Sequence, residues 1–232
     1  MRKNILSIVL VTVMLGLGSL TFPAQSGSEA ADERIRVLKA AEVFRDMLTL
    51  PEKGIPPALL RKTQAIAIIP GYVKAAYVVG GEHGKGVIAV RRDDGSWSAP
   101  AFVEMTGGSL GLQIGFEKAD FILVFKDRAS VATIDRGKFT LGGSASVAAG
   151  PVGRSARAST DIKFEAEVYS YSRSKGIFAG ISLNGAAFSM DKKANERFYQ
   201  KPGITVDDVL YKEPGPPKEA VELKELLDKN AK

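Results

Sequence analysis

From Gln64 onward glycine recurs too often for long helices, and the segments between the glycines are short and apolar. Residues 65–69 form a continuous apolar run before Pro70-Gly71, short enough for a buried strand. Residues 74–79, 86–91 and 121–125 are further β-rich runs bounded by Gly, Asp or charge. Asp93-Asp94-Gly95 separates residues 87–92 from 97–103 in the manner of a hairpin. Leu110, Leu112, Ile114 and Phe116 alternate with Ser109, Gly111, Gln113 and Gly115. One face of that strand is apolar and the other nearly bare, so another backbone or a ligand can come close. The 24 glycines are about 10% of the 232 residues, against a usual 7%.

The helical signals lie around this β-rich centre. Residues 32–50 place Val37, Ala41, Phe44 and Leu48 at helical spacing, flanked by Ala40 and Met47, with Lys39, Glu42 and Asp46 opposite. The mixed acids and bases of the polar face favour a helix packed on its own core over one lying on a membrane. Pro51, Gly54, Pro56 and Pro57 end it, and Pro57-Ala58-Leu59-Leu60 starts a short further turn. Residues 127–135 suit another short helix, and 137–148 return to small residues in strand-like order. The fold class expected is α+β: a curved, partly barrel-like antiparallel sheet with a long N-terminal helix and short flanking helices.

Both ends read as appendages. Arg2 and Lys3 precede an apolar stretch from Ile5 to Leu20, Pro23 breaks it, and Ser28-Glu29-Ala30 offers a small-residue cleavage site. That is the pattern of a secretory signal peptide over residues 1–30. The alternative is an uncleaved anchor, but the run falls short of the ~20 residues a spanning helix needs. At the other end, Glu213-Pro214-Gly215-Pro216-Pro217 reads as a linker. Beyond it, residues 218–229 form a short helix with Ala220, Leu223 and Leu227 on one side. The expected division is a signal segment (1–30), one domain (31–211) and a C-terminal linker and helix (212–232).

Composition excludes several chemistries. With no cysteine there is no thiol nucleophile, thiolate metal site or lipidated cysteine, and the single histidine, His83, cannot build a histidine cluster. No cofactor is expected. Gly107-Gly108-Ser109-Leu110-Gly111 fits the nucleophile-elbow pattern, but that motif needs a following helix and a histidine after the serine. Gly84-Lys85-Gly86 lacks the earlier glycine and the Ser/Thr of a phosphate loop, and as a dinucleotide motif it would open a strand rather than a helix. Ser172 and Tyr171 with Lys175 match catalytic spacings without their companion motifs. Neither an enzyme nor a nucleic-acid binder is indicated. Subtracting Arg2, Lys3 and Glu29 from 32 basic and 26 acidic residues leaves 30 and 25, so the net charge falls from +6 to +5.

Residues 164–175 are more informative. Read with period 2, Glu165, Glu167, Tyr169, Tyr171, Arg173 and Lys175 share one face. Two tyrosines followed by two cations suit a membrane interface, with phenol rings at headgroup depth and cations on phosphate oxygens. A solvated strand face held by cross-strand pairs is the competing reading.

The same stretch carries a family resemblance. The run Tyr169-Ser170-Tyr171-Ser172-Arg173-Ser174-Lys175-Gly176, continuing to Gly185, resembles the signature of the SYLF lipid-binding family, also called the Ysc84 actin-binding domain. Gly84-Lys85-Gly86 on to Arg91, Gly95 to Pro100, Gly111 to Gly115 with Asp120, and Ala149 to Arg154 are similar to further family segments in the same order. The resemblance covers residues 33–210. It implies a non-catalytic domain that binds anionic phospholipids or a membrane surface. The targeting pattern at residues 1–30 places the chain in a bacterial exported branch, in the periplasm or outer envelope, where phosphoinositides and actin are not expected as partners. On this reading Tyr169, Tyr171, Arg173 and Lys175 meet headgroups, and Arg154 and Arg157 form a second basic cluster. Phe178 and the Val37–Phe44–Leu48 stripe are the candidates for acyl or interfacial contact. The alternative is an envelope structural or protein-interaction module that uses the sheet edge or the C-terminal helix and binds no lipid.

Overall fold

The run Ala65, Ile66, Ala67, Ile68, Ile69 is apolar without interruption because both faces of its strand are covered: Ile66 and Ile68 belong to one core, Ala65, Ala67 and Ile69 to another. The structure, a computed structural model, describes residues 25–49, 54–76, 79–110, 115–137, 139–152, 164–174, 177–180, 183, 185–212 and 215–231. The expected signal segment lies mostly outside the described residues.

The described strands are β1 (Ala65–Ala76), β2 (Val79–Val90), β3 (Ala101–Leu110), β4 (Gly115–Phe125), β5 (Phe139–Thr140), β6 (Val147–Ala149), β7 (Val168–Ser174), β8 (Ile177–Gly180) and β9 (Ala187–Met190). They form one sheet in the order β5-β9-β3-β2-β1-β4-β7-β6, with β8 also on β7. Every pairing is antiparallel except β6 with β7. The sheet curls into a half-barrel, and with its N-terminal helix and short helices it has the α+β architecture that the sequence indicates.

Glycine makes the curl possible. β1 runs through Pro70-Gly71 as a bulge rather than stopping there, and its register shifts against both neighbours at that point. Gly71 has φ +63, a left-handed conformation that side chains rarely adopt, and its amide donates to Asp120 Oδ1 at 2.8 Å. Across the pair, a Cβ at Gly86 would meet the Ile68 carbonyl and would lie 2.8 Å from the Ile69 Cα, so only glycine allows β1 and β2 to approach this closely.

Helix α1 (Gln25–Leu48) and helix α6 (Lys218–Asn230) lie over one face of the sheet, joined there by α2 (Pro57–Lys62) and α4 (Lys192–Tyr199). Val37, Ala41, Phe44 and Met47 are buried on this face with Phe102, Ile122, Tyr169 and Tyr171. The opposite face packs on α3 (Ala129–Asp135) and α5 (Val206–Tyr211) through Phe121, Leu123, Phe125, Ile134, Val209 and Leu210. The apolar side of α6, made of Ala220, Leu223 and Leu227, enters the α1 core, and Arg34–Glu219 and Arg45–Glu222 pairs tie the two helices. The end of α6 is pinned as well. Trp97 Nε1 donates to the Ala231 carbonyl at 3.1 Å, the Trp97 amide donates to Asp228 Oδ1 at 2.8 Å, and Arg91 donates to the carbonyls of Leu60, Arg61 and Ala231.

Ser109 lies within β3 opposite Gly80, so the nucleophile-elbow pattern falls on an extended strand there rather than on a strand-to-helix turn.

Candidate functional site

Helix α1 has two faces of different character. Its buried stripe is the Val37–Phe44 side already described. Its outward side carries Arg34, Leu38, Lys39, Glu42 and Arg45 with Ile35, and two apolar side chains stand open among these charges: Ile35 is 47% and Leu38 45% exposed. They lie one turn apart, beside a groove of about 350 Å3 between α1 and the β1–β2 pair. Asp32, Ile35, Arg36 and Lys39 form one wall of the groove; Pro70, Gly71 and Val73 of the bulge and His83, Gly84 and Lys85 of β2 form the rest.

Cations dominate this groove. Lys85 Nζ lies 3.3 Å from Asp191 Oδ2, and His83 Nδ1 lies 3.4 Å from Glu104 Oε1, so both are partly engaged. Among the described residues neither Arg36 nor Lys39 has an ion-pair partner. The Arg36 guanidinium lies 5.5 Å from the Phe102 ring centroid, and its Nη1 is buried with no hydrogen-bond partner. Asp32 is the one acid on the wall. A second hollow, of about 510 Å3, lies beside Arg91, Asp94, Gly95, Ser96 and Asp228. Most of its polar groups are already committed, Arg91 Nη1 and Nη2 to helix-end carbonyls, Asp94 to Ser96, and Asp228 to Trp97 and Lys224, while Arg91 Nε is buried without a partner. The α1 groove is therefore the better candidate for a ligand.

The residues singled out from the sequence fall elsewhere. Tyr171 is fully buried in the α1 core, its ring packed where Gly150 has no side chain. Tyr169 is buried too; its hydroxyl accepts from the Ala166 amide at 3.1 Å, and its ring meets Phe164 edge to face. Arg173 is half-buried and bonds Asp120 on β4 at 2.7 Å and Asp46 on α1. The expected open tyrosine face is thus a covered one: Gly150 and Pro151 lie against the Tyr171 ring, Phe164 against Tyr169, and Asp46 of α1 reaches Arg173. Val37 and Phe44 are fully buried and Leu48 packs against the same core, so that stripe is α1's inner face rather than an interfacial one. Lys175, Arg154 and Arg157 lie outside the described residues, and of Phe178 the structure describes only the backbone, in β8.

Burial keeps the core tyrosines neutral. It raises the pKa of Tyr171 and Tyr199 well above the usual value near 10, and that of Tyr72 likewise, with the Tyr72 hydroxyl bond to Glu82 adding to the effect. In the unfolded chain these phenols ionise near pH 10, so the stability they contribute is full below that pH and falls as pH rises toward the folded-state values. The loss is about 1.4 kcal/mol per pH unit for each tyrosine. Alkaline titration should therefore show the phenolate absorbance of the buried tyrosines rising with the loss of circular dichroism in one cooperative step above pH 10. A gradual phenolate rise in folded protein larger than Tyr77 and the exposed Tyr211 can supply would contradict the burial of these rings.

Among the described residues no group of His, Cys, Asp and Glu is placed to hold a metal ion, and no helix is long and apolar enough to cross a membrane.

Comparison with known proteins gives this geometry a context. Residues 106–230 match the family described as "Ysc84: Las17-binding protein actin regulator". The chain is 37% identical over 196 residues to "SH3 domain-containing YSC84-like protein 1" of Xenopus laevis, covering 82% of this chain and 58% of that one. It is 35% identical over 196 residues to the Homo sapiens protein of the same name, covering 82% and 57%. To "Protein YSC84" of Saccharomyces cerevisiae it is 38% identical over 169 residues, covering 69% and 36%. The chain thus spans little more than half the length of the first two relatives. No solved structure matches. The matched family is described as an actin regulator, and a further yeast relative is named "LAS seventeen-binding protein 3". This overturns the sequence-based exclusion of actin as a partner, which rested on the targeting pattern of residues 1–30 and not on the domain itself.

Proposed function

The chain belongs to the Ysc84 family, and from that premise we propose that it is a non-catalytic protein that binds anionic phospholipid at a membrane surface of the bacterial envelope, exported by the segment at residues 1–30. The observation that carries the reading is the outward face of α1, where Ile35 and Leu38 stand exposed beside Arg36 and Lys39. A cation near an anionic surface contributes about 1 kcal/mol, and sinking each exposed half of Ile35 and Leu38 into lipid adds about 1 kcal/mol more. The sum, about 4 kcal/mol, corresponds to roughly millimolar affinity. Such a contact is peripheral, reversible and weakened by salt. Lys175, Arg154, Arg157 and Phe178 are further contacts in this proposal; Arg173 acts instead through Asp46, holding α1 in place.

Co-sedimentation with phosphatidylglycerol vesicles tests it. The protein should pellet at low ionic strength, less so at high, and the double variant Ile35→Asp/Leu38→Asp should bind at least tenfold more weakly. Both side chains are about half exposed, so its unfolding free energy should stay within about 1 kcal/mol of the parent. Equal pelleting of the folded variant would overturn the assignment.

The family's description favours a second reading, a protein-interaction module acting on the actin-regulatory machinery. On that reading lipid-free protein co-sediments with actin filaments or with a Las17-like partner, and ignores vesicles of every composition.

A further inference from the structure

Helix α1 is seated in two different ways along its length. From Val37 to Met47 its buried side chains are Val37, Ala40, Ala41, Val43, Phe44 and Met47, all apolar and all in the core between the helix and the sheet. Between Glu29 and Arg36 only Glu33 is buried, at 1% exposure. Its Oε1 accepts twice from Arg197 of α4, from Nε at 3.2 Å and from Nη2 at 2.6 Å, and Glu29 stands 3.6 Å from Arg197 Nη1. The Arg34–Glu219 pair, at 3.7 Å with Arg34 half exposed, adds little. The first turns of the helix are thus held to the body chiefly by one carboxylate on one guanidinium.

This seat is incompletely satisfied. Glu33 Oε2 and Arg36 Nη1 are both buried without a hydrogen-bond partner. Each gives up water for no bond in return, which weakens the docked state. The Arg36 guanidinium, 5.5 Å from the Phe102 ring centroid, has the ring's electrostatic attraction but no directed acceptor at Nη1. A buried carboxylate that meets a single arginine through one oxygen recovers little of its desolvation cost. The sequence withholds support as well. Ser26, Gly27 and Ser28 are poor helix formers in the first turn, and Ile35 is 47% exposed and adds little to the seat.

We infer that residues 25–36 are a releasable arm of α1, latched by Glu33 on Arg197, which unwinds as a unit up to Val37 while residues 37–48 stay docked. Opening gives water to Glu33 Oε2 and Arg36 Nη1 together, and this offsets the bonds it breaks. It also uncovers the Phe102 ring that Arg36 overlies. The second half of the helix has no such compensation, because undocking Phe44 or Met47 exposes hydrocarbon to water. Arg173, bonded to Asp46 and to Asp120 of β4, fastens that half to the sheet. The two halves therefore belong to different opening units, the arm at the low end of the stability range and the remainder close to global unfolding. The arm depends on neither reading of function above.

Hydrogen–deuterium exchange of the intact protein, read by mass spectrometry, tests the arm. Amides of residues 31–36 should exchange at least a hundredfold faster than those of 41–48. Glu33→Gln keeps the shape and removes the charge; it should speed 31–36 by a further tenfold or so and leave 41–48 at the parental rate. Glu33→Leu combined with Arg197→Met replaces the ion pair with hydrocarbon and should slow 31–36 by about tenfold. Asp32→Asn, exposed one position earlier, should leave both segments as in the parent. Common rates for 31–36 and 41–48 in the parent would mean that α1 opens as one piece, and would overturn the arm. So would a Glu33→Gln variant that moves both segments equally, leaves 31–36 at the parental rate, or unfolds the chain outright.

Discussion

Trp97→Ala should lower the unfolding free energy by about 4 kcal/mol, among the largest losses a single side chain of this protein can cause. Trp97 is the only tryptophan in the chain and is fully buried. Its ring takes the Arg91 guanidinium at 5.4 Å, its Nε1 bonds the Ala231 carbonyl, and its amide holds Asp228. Truncation opens a cavity beneath the end of α6 and removes the donor that caps it, so the helix loses its anchor along with the core. Trp97→Phe separates the two effects: it keeps most of the ring and loses the hydrogen bond, at a cost of about 1–2 kcal/mol. Urea denaturation followed by circular dichroism measures both variants, since the alanine variant has no tryptophan fluorescence. Native-like stability in Trp97→Ala would mean that α6 is not held through this residue.

Arg173→Met should cost about 2–3 kcal/mol, between the values for exposed and fully buried ion pairs. The Arg173 and Asp120 side chains are 18% and 20% exposed, and Asp46 on α1 completes the group. Burial works against the Arg173 charge, but the bonds to Asp120 and the nearby Asp120 and Asp46 charges outweigh it and raise its pKa above the usual arginine value. Removing the guanidinium leaves two carboxylates close together, one of which also holds the Gly71 amide at the bulge. The variant should therefore loosen α1 from the sheet. The double variant Arg173→Met/Asp120→Asn should recover part of the loss, with a coupling of about 1–2 kcal/mol. Additive losses would contradict a shared network. Charge reversal at Arg173 in a vesicle assay reports on this clamp before it reports on any lipid contact.

Much of the architecture was legible in short-range patterns. The shift from helical spacing before Pro51 to short apolar runs after Gln64 marks the passage from α1 to the sheet, and the Asp93-Asp94-Gly95 turn lies where the Arg91–Trp97 bridge closes. Two helices are too short for hydrophobic spacing to mark them, although their caps are written in the chain. Asp191 accepts from the Ala194 amide at the start of α4, and Thr205 with Asp208 forms a capping box on α5. Pro70-Gly71 looks like a strand end and is a bulge, because Asp120, 49 residues away, satisfies the amide that the bulge exposes.

The site was harder to find. Alternation tells which side chains share a face of β7, but not that Phe164, Gly150 and Pro151 lie over that face, so Tyr169 and Tyr171 suggest an interface while serving the core. Ile35 and Leu38 did carry a local signal: they are apolar residues off the Val37–Phe44 stripe, with no partner predicted for them. Arg36 carried none, since its groove is assembled by β2, some fifty residues away in sequence.

The absence of cysteine permits a direct test of the central claim, that the outer face of α1 meets the membrane. A Leu38→Cys variant carries a single attachment point for an environment-sensitive fluorophore, and Lys193→Cys, on the exposed side of α4, serves as the reference. With phosphatidylglycerol vesicles the label at residue 38 should shift to the blue and return when salt is added, while the label at 193 stays as it is in water. A label at 38 that remains water-like while the protein pellets with the vesicles, or an equal shift at 193, would contradict the account.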